Sequence, residues 1–124
     1  IVSMEGDTGL YLLYSYARCK SSLRKLDYTR LKKPLKIKPT DKEYSLISKF
    51  VEFPEAVLRA RLNDDPSAIA RYSMEIAKEF NSFYTHCRIK GANRESYRAQ
   101  IIDVYSNILR NSLNLIGIET IEKM

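Results

Sequence analysis

The sequence predicts a single all-α domain, a bundle of about five helices. Three observations predict it. Apolar residues recur at three- and four-residue steps through most of the 124 residues. No segment alternates strictly enough between apolar and polar residues to argue for a strand. Helix boundaries punctuate the chain at Asp65-Pro66, at the KGAN stretch over 90–93, and at Gly117. A chain of this length can bury one core and is too short for two, so 1–124 reads as one domain. Neither an internal repeat nor a low-complexity tract interrupts it.

The opening segment, 1–27, carries the first helix. Asp7 or Thr8 can cap it, because their side-chain oxygens accept from the first free backbone amides, and it is expected to run to about Leu26. On it Leu10, Leu13 and Ala17 form one apolar stripe. Tyr11, Tyr14 and Arg18 lie on an adjacent face, within about 60° of one another. Residues 28–40 (YTRLKKPLKIKPT) hold two prolines and five basic residues and read as a loop. The second helix opens at Asp41, with Glu43 near the positive end of its dipole. Tyr44, Ile47, Phe50 and Val51 give it an apolar face, and it stops before Pro54. A short helix runs from Pro54 to about Leu62 with Val57 and Leu58 inward. Asp65 caps the fourth helix and Pro66 takes its first position. Its stripe is Ile69, Tyr72, Ile76, Phe80, Phe83 and Cys87, to about Arg88. Asn93 is a candidate cap for the last helix, whose stripe is Tyr97, Ile101, Val104, Tyr105, Ile108, Leu109, Leu113 and Ile116. Gly117 ends it.

The net charge of +6 is unevenly spread. Residues 18–38 hold nine Lys or Arg against Asp27 alone, an excess of +8, while the rest of the chain sums to −2. A concentrated cationic segment is the pattern of a docking surface for a polyanion. Charge alone supports a solvated basic linker equally well.

Composition also excludes chemistry. Cys19 and Cys87 sit in no CxxC motif or Cys/His cluster, so they read as free thiols and no metal site is expected. No run of about 18 apolar residues suggests a membrane span. No signal peptide is evident, and a cytoplasmic location is expected. The chain opens at IVSMEG without an initiating Met, as a domain of a longer protein would. His86, the lone histidine, has no evident partner and reads as a partly exposed helix residue. The glycines match neither dinucleotide nor P-loop spacing. No catalytic residue and no cofactor site are expected, so this chain by itself is not read as an enzyme.

What remains is an interleaving of aromatic and basic residues. Tyr11, Tyr14 and Arg18 share a face, and Tyr84 and Arg88 lie four apart in FNSFYTHCRIK. Unstacked bases are held on Tyr, Phe or Arg planes, each stack contributing about 1–3 kcal/mol, with cations on the phosphates. A tyrosine can also bury its ring and leave only its hydroxyl wet. Tyr72, Tyr97 and Tyr105, set in apolar stripes, read that way.

Four stretches in order resemble landmarks of one family. EGDTGLYLLYSYAR resembles the EGDTGxYxxYxxxR segment that leads into the C-terminal anticodon-binding domain of arginyl-tRNA synthetases. LISKFVEFPEAV is similar to that family's helix pair, FNSFYTHCRI to its FxxFYxxC segment, and ESYRAQIIDVYSNILRNSLNLIGIETIEKM to its closing helix. The departures are Leu10 for a frequent proline, Tyr16 for a frequent histidine, and Thr120-Ile121 for a frequent proline. The resemblance implies an all-helical domain of the DALR type that grips the anticodon stem-loop of tRNA for arginine. It implies that Tyr11, Tyr14, Arg18, Tyr84, Arg88 and Met124 line the anticodon pocket. Lys20, Arg24, Lys25, Lys32 and Lys33 would then meet phosphates, which positions RNA without reading its sequence. The family's HIGH-like and KMSK-like signatures have no counterpart here. The resemblance therefore assigns ATP and aminoacylation to a catalytic domain elsewhere in a parent ligase. The expected partners are that domain and tRNA, with no membrane, and the expected state is a monomer.

Three rival readings stay open at this level. The chain could be the anticodon domain of another class I synthetase, cysteinyl or glycyl. It could be a helical protein-interaction module that uses its exposed tyrosines. Residues 1–27 could be a linker to the catalytic domain without an RNA role.

Overall fold

A computed structural model describes residues 6–28 and 36–120. Its described residues form five α-helices and no strand. They are α1 (Gly6–Lys25), α2 (Asp41–Val51), α3 (Phe53–Leu62), α4 (Ser67–His86) and α5 (Glu95–Leu115). α4 packs against each of the other four helices, and α1 lies mainly along α5. The core between them is built from Leu12, Tyr16, Leu46, Ile76, Phe80, Phe83, Ile102, Tyr105, Leu109 and Leu113. Among the described residues, no helix is long and apolar enough to cross a membrane.

Several faces are turned from their expected positions. On α1 the core stripe is Leu12, Tyr16, Cys19 and Leu23, while Leu10 is exposed and Leu13 half-buried. The run LYLLYSYA is apolar on more than one side, so periodicity alone does not choose the buried one. On α2 the buried residues are Glu43 and Leu46, with Ile47 and Phe50 half-buried and Tyr44 and Val51 exposed. On α3 Ala56 is buried and Val57 partly so, whereas Leu58 is exposed. Val104 is exposed on α5. α4 stops at His86 and Cys87 is extended, at φ −115° and ψ 120°. Its stripe from Ile69 to Phe83 is buried as expected. Tyr72, Tyr97 and Tyr105 are all core residues.

The ends of the helices follow backbone chemistry. Thr40 caps α2 in a capping box, its hydroxyl accepting from the Glu43 amide and its own amide donating to the Glu43 carboxylate. Asp65 accepts from the hydroxyl and amide of Ser67 at the start of α4. No side chain caps α5, so Asn93 does not serve there. Gly117 ends α5 at φ +84°, with Ile118 N–H bonded to the Leu113 carbonyl at 2.9 Å. This closing loop satisfies the last carbonyls and turns Ile118 back onto the core.

Glu43 is fully buried, although placed at what looks like a solvent-facing helix start. Its carboxylate joins the start of α2 to the start of α5. The Thr40 amide donates to Oε1 at 2.8 Å, and Arg94 Nε and Arg98 Nε each donate to Oε2 at 2.8 Å. Arg94 also donates to the Lys38 carbonyl, and Arg98 to the Arg88 carbonyl. Burial raises the Glu43 pKa, but the hydrogen bonds from Arg94, Arg98 and Thr40 outweigh it and hold the acid at about 2.

Candidate nucleic-acid interface

Because Leu12, Tyr16, Cys19 and Leu23 supply the core face of α1, the face carrying Tyr11, Tyr14 and Arg18 points outward. Tyr14 is 57% exposed and Tyr11 38% exposed. Tyr14 thus offers more than half of its surface to a planar ligand, whereas Tyr11 is covered over most of its surface. Arg18 is exposed and crosses to α4. Its guanidinium lies 4.9 Å from the centroid of the Tyr84 ring, and its Nη1 donates to Asn81 Oδ1 at 3.3 Å. Tyr84 is half-buried, and its hydroxyl pairs with that of Ser22 at 2.8 Å. Behind it, the Phe80 ring sits 5.6 Å away and stacks in turn on Tyr105, with centroids 4.1 Å apart. Burial pushes the Tyr105 phenol well above its ordinary pKa, and it stays neutral, sharing a hydrogen bond with Ser15.

The basic residues divide. Lys20 is half-buried and lies over the Tyr16 ring at 5.6 Å. Arg24 and Lys25 are exposed in the last turn of α1, where positive charge also complements the helix dipole. Lys32, Lys33 and Met124 lie outside the described residues. Elsewhere some cations are paired with acids: Lys49 with Glu52 and Glu75, Arg59 with Glu55, and Arg71 with Asp65. Among the described residues, none of Arg18, Lys20 and Lys25 makes an ion pair, which leaves these charges available to an anion.

The model of the DALR anticodon binding domain family matches residues 12–124. The chain belongs to that family. The arginine–tRNA ligase of Clostridium acetobutylicum is 38% identical over 127 residues, covering 100% of this chain and 23% of that protein. The corresponding ligase of Fusobacterium nucleatum subsp. nucleatum is 39% identical over 129 residues, again covering 100% of this chain and 23% of its own length. Among solved structures, Thermus thermophilus arginyl-tRNA synthetase superposes with a TM-score of 0.81 at 31% identity, covering 98% of this chain and 22% of that one. The chain thus spans less than a quarter of the length of the curated relatives it matches.

Within this DALR domain the structure joins some of the expected residues and separates others. Arg18 and Tyr84 meet across α1 and α4, while Tyr11 and Tyr14 extend the same α1 face. Arg88 does not share a helix face with Tyr84, because α4 ends two residues before it. Its Nε donates to the Lys90 carbonyl at 3.3 Å, and its guanidinium covers Gly91, where an added Cβ would lie 3.1 Å away. Sequence reasoning missed Asn81 and Ser22. Both are short polar residues whose place depends on how α1 crosses α4, and local sequence carries no signal for that crossing. His86 is exposed, and its Nδ1 is bonded to the Ser82 carbonyl of its own helix. Among the described residues, no group of His, Cys, Asp or Glu could hold a metal ion. Cys19 and Cys87 are both buried free thiols.

Proposed function

We propose that this chain is the anticodon-binding domain of an arginine–tRNA ligase and binds the anticodon stem-loop of tRNA for arginine. The whole span 1–124 acts as that domain. One observation carries the reading: α1 fills the core with one face and sets Tyr11, Tyr14 and Arg18 on another, beside Tyr84. Unstacked loop bases meet these planes, and Met124 packs against a base. Lys20, Arg24, Lys25, Lys32 and Lys33 contact phosphates, and Arg88 approaches the loop from the end of α4. The parent's catalytic domain binds ATP and carries out aminoacylation, and is the second partner of this domain. The parent works as a monomer in the cytoplasm.

The test is a binding titration at two salt concentrations. The ligands are tRNA for arginine and the same tRNA with its anticodon bases replaced. Salt-sensitive binding that weakens with the altered anticodon is expected. Equal binding to both would reduce the face to a basic surface and remove the anticodon assignment.

A further inference from the structure

Five exposed cations lie where α2 begins and α4 gives way to α5. Lys36 and Lys38 sit on the stretch leading into α2, Lys42 on its first turn, and Arg88 and Lys90 on the link from α4 to α5. Among the described residues none of the five makes an ion pair. Over 36–43 and 88–98 seven cations face three acids, and two of those acids are already engaged. Glu43 is buried between arginines, and Glu95 accepts from the Gly91 amide at 2.7 Å. The two cationic stretches are distant in sequence and share one anchor. Arg94 Nε and Arg98 Nε both donate to Glu43 Oε2 at 2.8 Å. Each arginine spends a second nitrogen on a carbonyl, Arg94 Nη2 on that of Lys38 at 2.9 Å and Arg98 Nη1 on that of Arg88. The backbones held this way belong to two residues whose own side chains are exposed cations.

From this arrangement we infer that Glu43, Arg94 and Arg98 are positioning residues for RNA: they lock the approach to α2 and the exit of α4 together, so that Lys36, Lys38, Lys42, Arg88 and Lys90 form one rigid cationic edge for successive phosphates of an RNA strand. The inference rests on the RNA-binding reading above and deepens it. None of these residues is on α1, and the edge meets phosphates rather than bases, so it adds grip without reading sequence. A cation on a loose segment loses freedom when it meets a phosphate, and a backbone fixed beforehand avoids most of that cost. Arginine suits the anchoring task because its fork holds a carboxylate and a carbonyl at once, whereas an ammonium has a single nitrogen for both.

The experiment is a double-substitution cycle on the chain with a synthetic anticodon hairpin of tRNA for arginine, read by fluorescence anisotropy at several salt concentrations. One arm is Arg94→Lys, which keeps a cation beside Glu43 and lacks the fork that also reaches the Lys38 carbonyl. The other removes the exposed side chains that Arg94 is argued to place, Lys36→Ala together with Lys38→Ala. Circular dichroism checks that the bundle is retained. Arg94→Lys should lower the slope of log affinity against log salt by roughly 0.7–0.9 for each phosphate no longer neutralised, although the charge of the chain is unchanged. In the background lacking both lysines it should lower the slope no further, because a positioning residue does nothing once the groups it positions are gone. Additive losses, or no loss from Arg94→Lys, would overturn the positioning role. An unchanged slope for the lysine pair would overturn the edge. Should Arg94→Lys not fold, Arg98→Lys against Arg88→Ala and Lys90→Ala gives the same cycle at the other segment. A second hairpin with abasic sites for its anticodon bases separates this inference from the anticodon reading. The edge predicts the same slope losses on both hairpins, since the phosphates are kept. Equal affinity of the unsubstituted chain for both would remove the anticodon assignment and leave the edge, whereas slope losses confined to the intact hairpin would overturn the edge alone.

Discussion

The tyrosines of this chain differ in burial. Tyr16, Tyr72, Tyr97 and Tyr105 are buried; the Tyr72 hydroxyl donates to the Lys49 carbonyl at 2.6 Å, and that of Tyr105 pairs with Ser15. Tyr14 has no such duty. At 57% exposure it can be truncated with little loss of packing. Tyr14→Ala should therefore leave the melting temperature nearly unchanged and weaken binding of the arginine tRNA loop by about 1–3 kcal/mol. Thermal denaturation and an RNA titration on one preparation check both halves, and an unchanged dissociation constant would remove Tyr14 from the site. The two cysteines are also buried. Burial pushes both thiols above their ordinary pKa, the neighbouring cations Arg18 and Lys20 only partly opposing it at Cys19. A thiol reagent should leave both unmodified until the chain is unfolded by denaturant.

At the scale of elements, the joints between helices carry the vulnerabilities. Glu43 ties the start of α2 to the start of α5, and Arg94, held by Glu43, donates to the Lys38 carbonyl. Its pKa of about 2 in the fold lies below the ordinary 4.5, so its contribution is fully present above about pH 4.5 and fades as pH falls toward 2. The two arginines keep part of their surface in solvent, so about 2 kcal/mol is the expected size. Denaturant unfolding between pH 6 and pH 2 should show that loss, and Glu43→Gln should shrink it while lowering stability at neutral pH. A Glu43→Gln chain with an unaltered acid limb would place the acid sensitivity elsewhere. The end of α5 makes a simpler case. A Cβ at position 117 would meet nothing within 4 Å, so Gly117→Ala reports only the backbone at φ +84°. A destabilisation of about 1 kcal/mol is expected from the left-handed conformation alone. Calorimetry finding no change would mean that the turn relaxes when substituted.

At the scale of the whole molecule, the cations are of two kinds. Around α2, α3 and the start of α4, Lys49, Arg59 and Arg71 are paired with acids. Along the last turns of α1 the lysines Lys20 and Lys25 are not, and Lys32 and Lys33 add charge in the same stretch of sequence. Binding to RNA should thus depend steeply on salt. Replacing Lys20 and Lys25 by Ala should lower the slope of log affinity against log salt by roughly 0.7–0.9 for each phosphate that is no longer neutralised. The same substitutions at Lys32 and Lys33 test the loop in the same way. A slope that does not move for either pair would make that pair a bystander.

The sequence by itself determined the all-α class, the stripes of α4 and most of α5, the end at Gly117 and the family. Each of these is written in local spacing, in a turn residue, or in short motifs in a fixed order. It also singled out Tyr11, Tyr14 and Arg18 as residues a core did not require. Tertiary structure alone decided which side of α1 is buried, because Leu and Tyr occupy several faces of that helix and the bundle chooses among them. It decided that Glu43 is interior, since the arginines that neutralise it come from more than 50 residues away. It separated Arg88 from Tyr84 by ending α4 early, and it brought Asn81 and Ser22 to the site through the crossing of α1 and α4. The physical reason is common to all of these. Spacing along the chain fixes which residues share a face, but which face meets a partner helix is set by packing between elements distant in sequence.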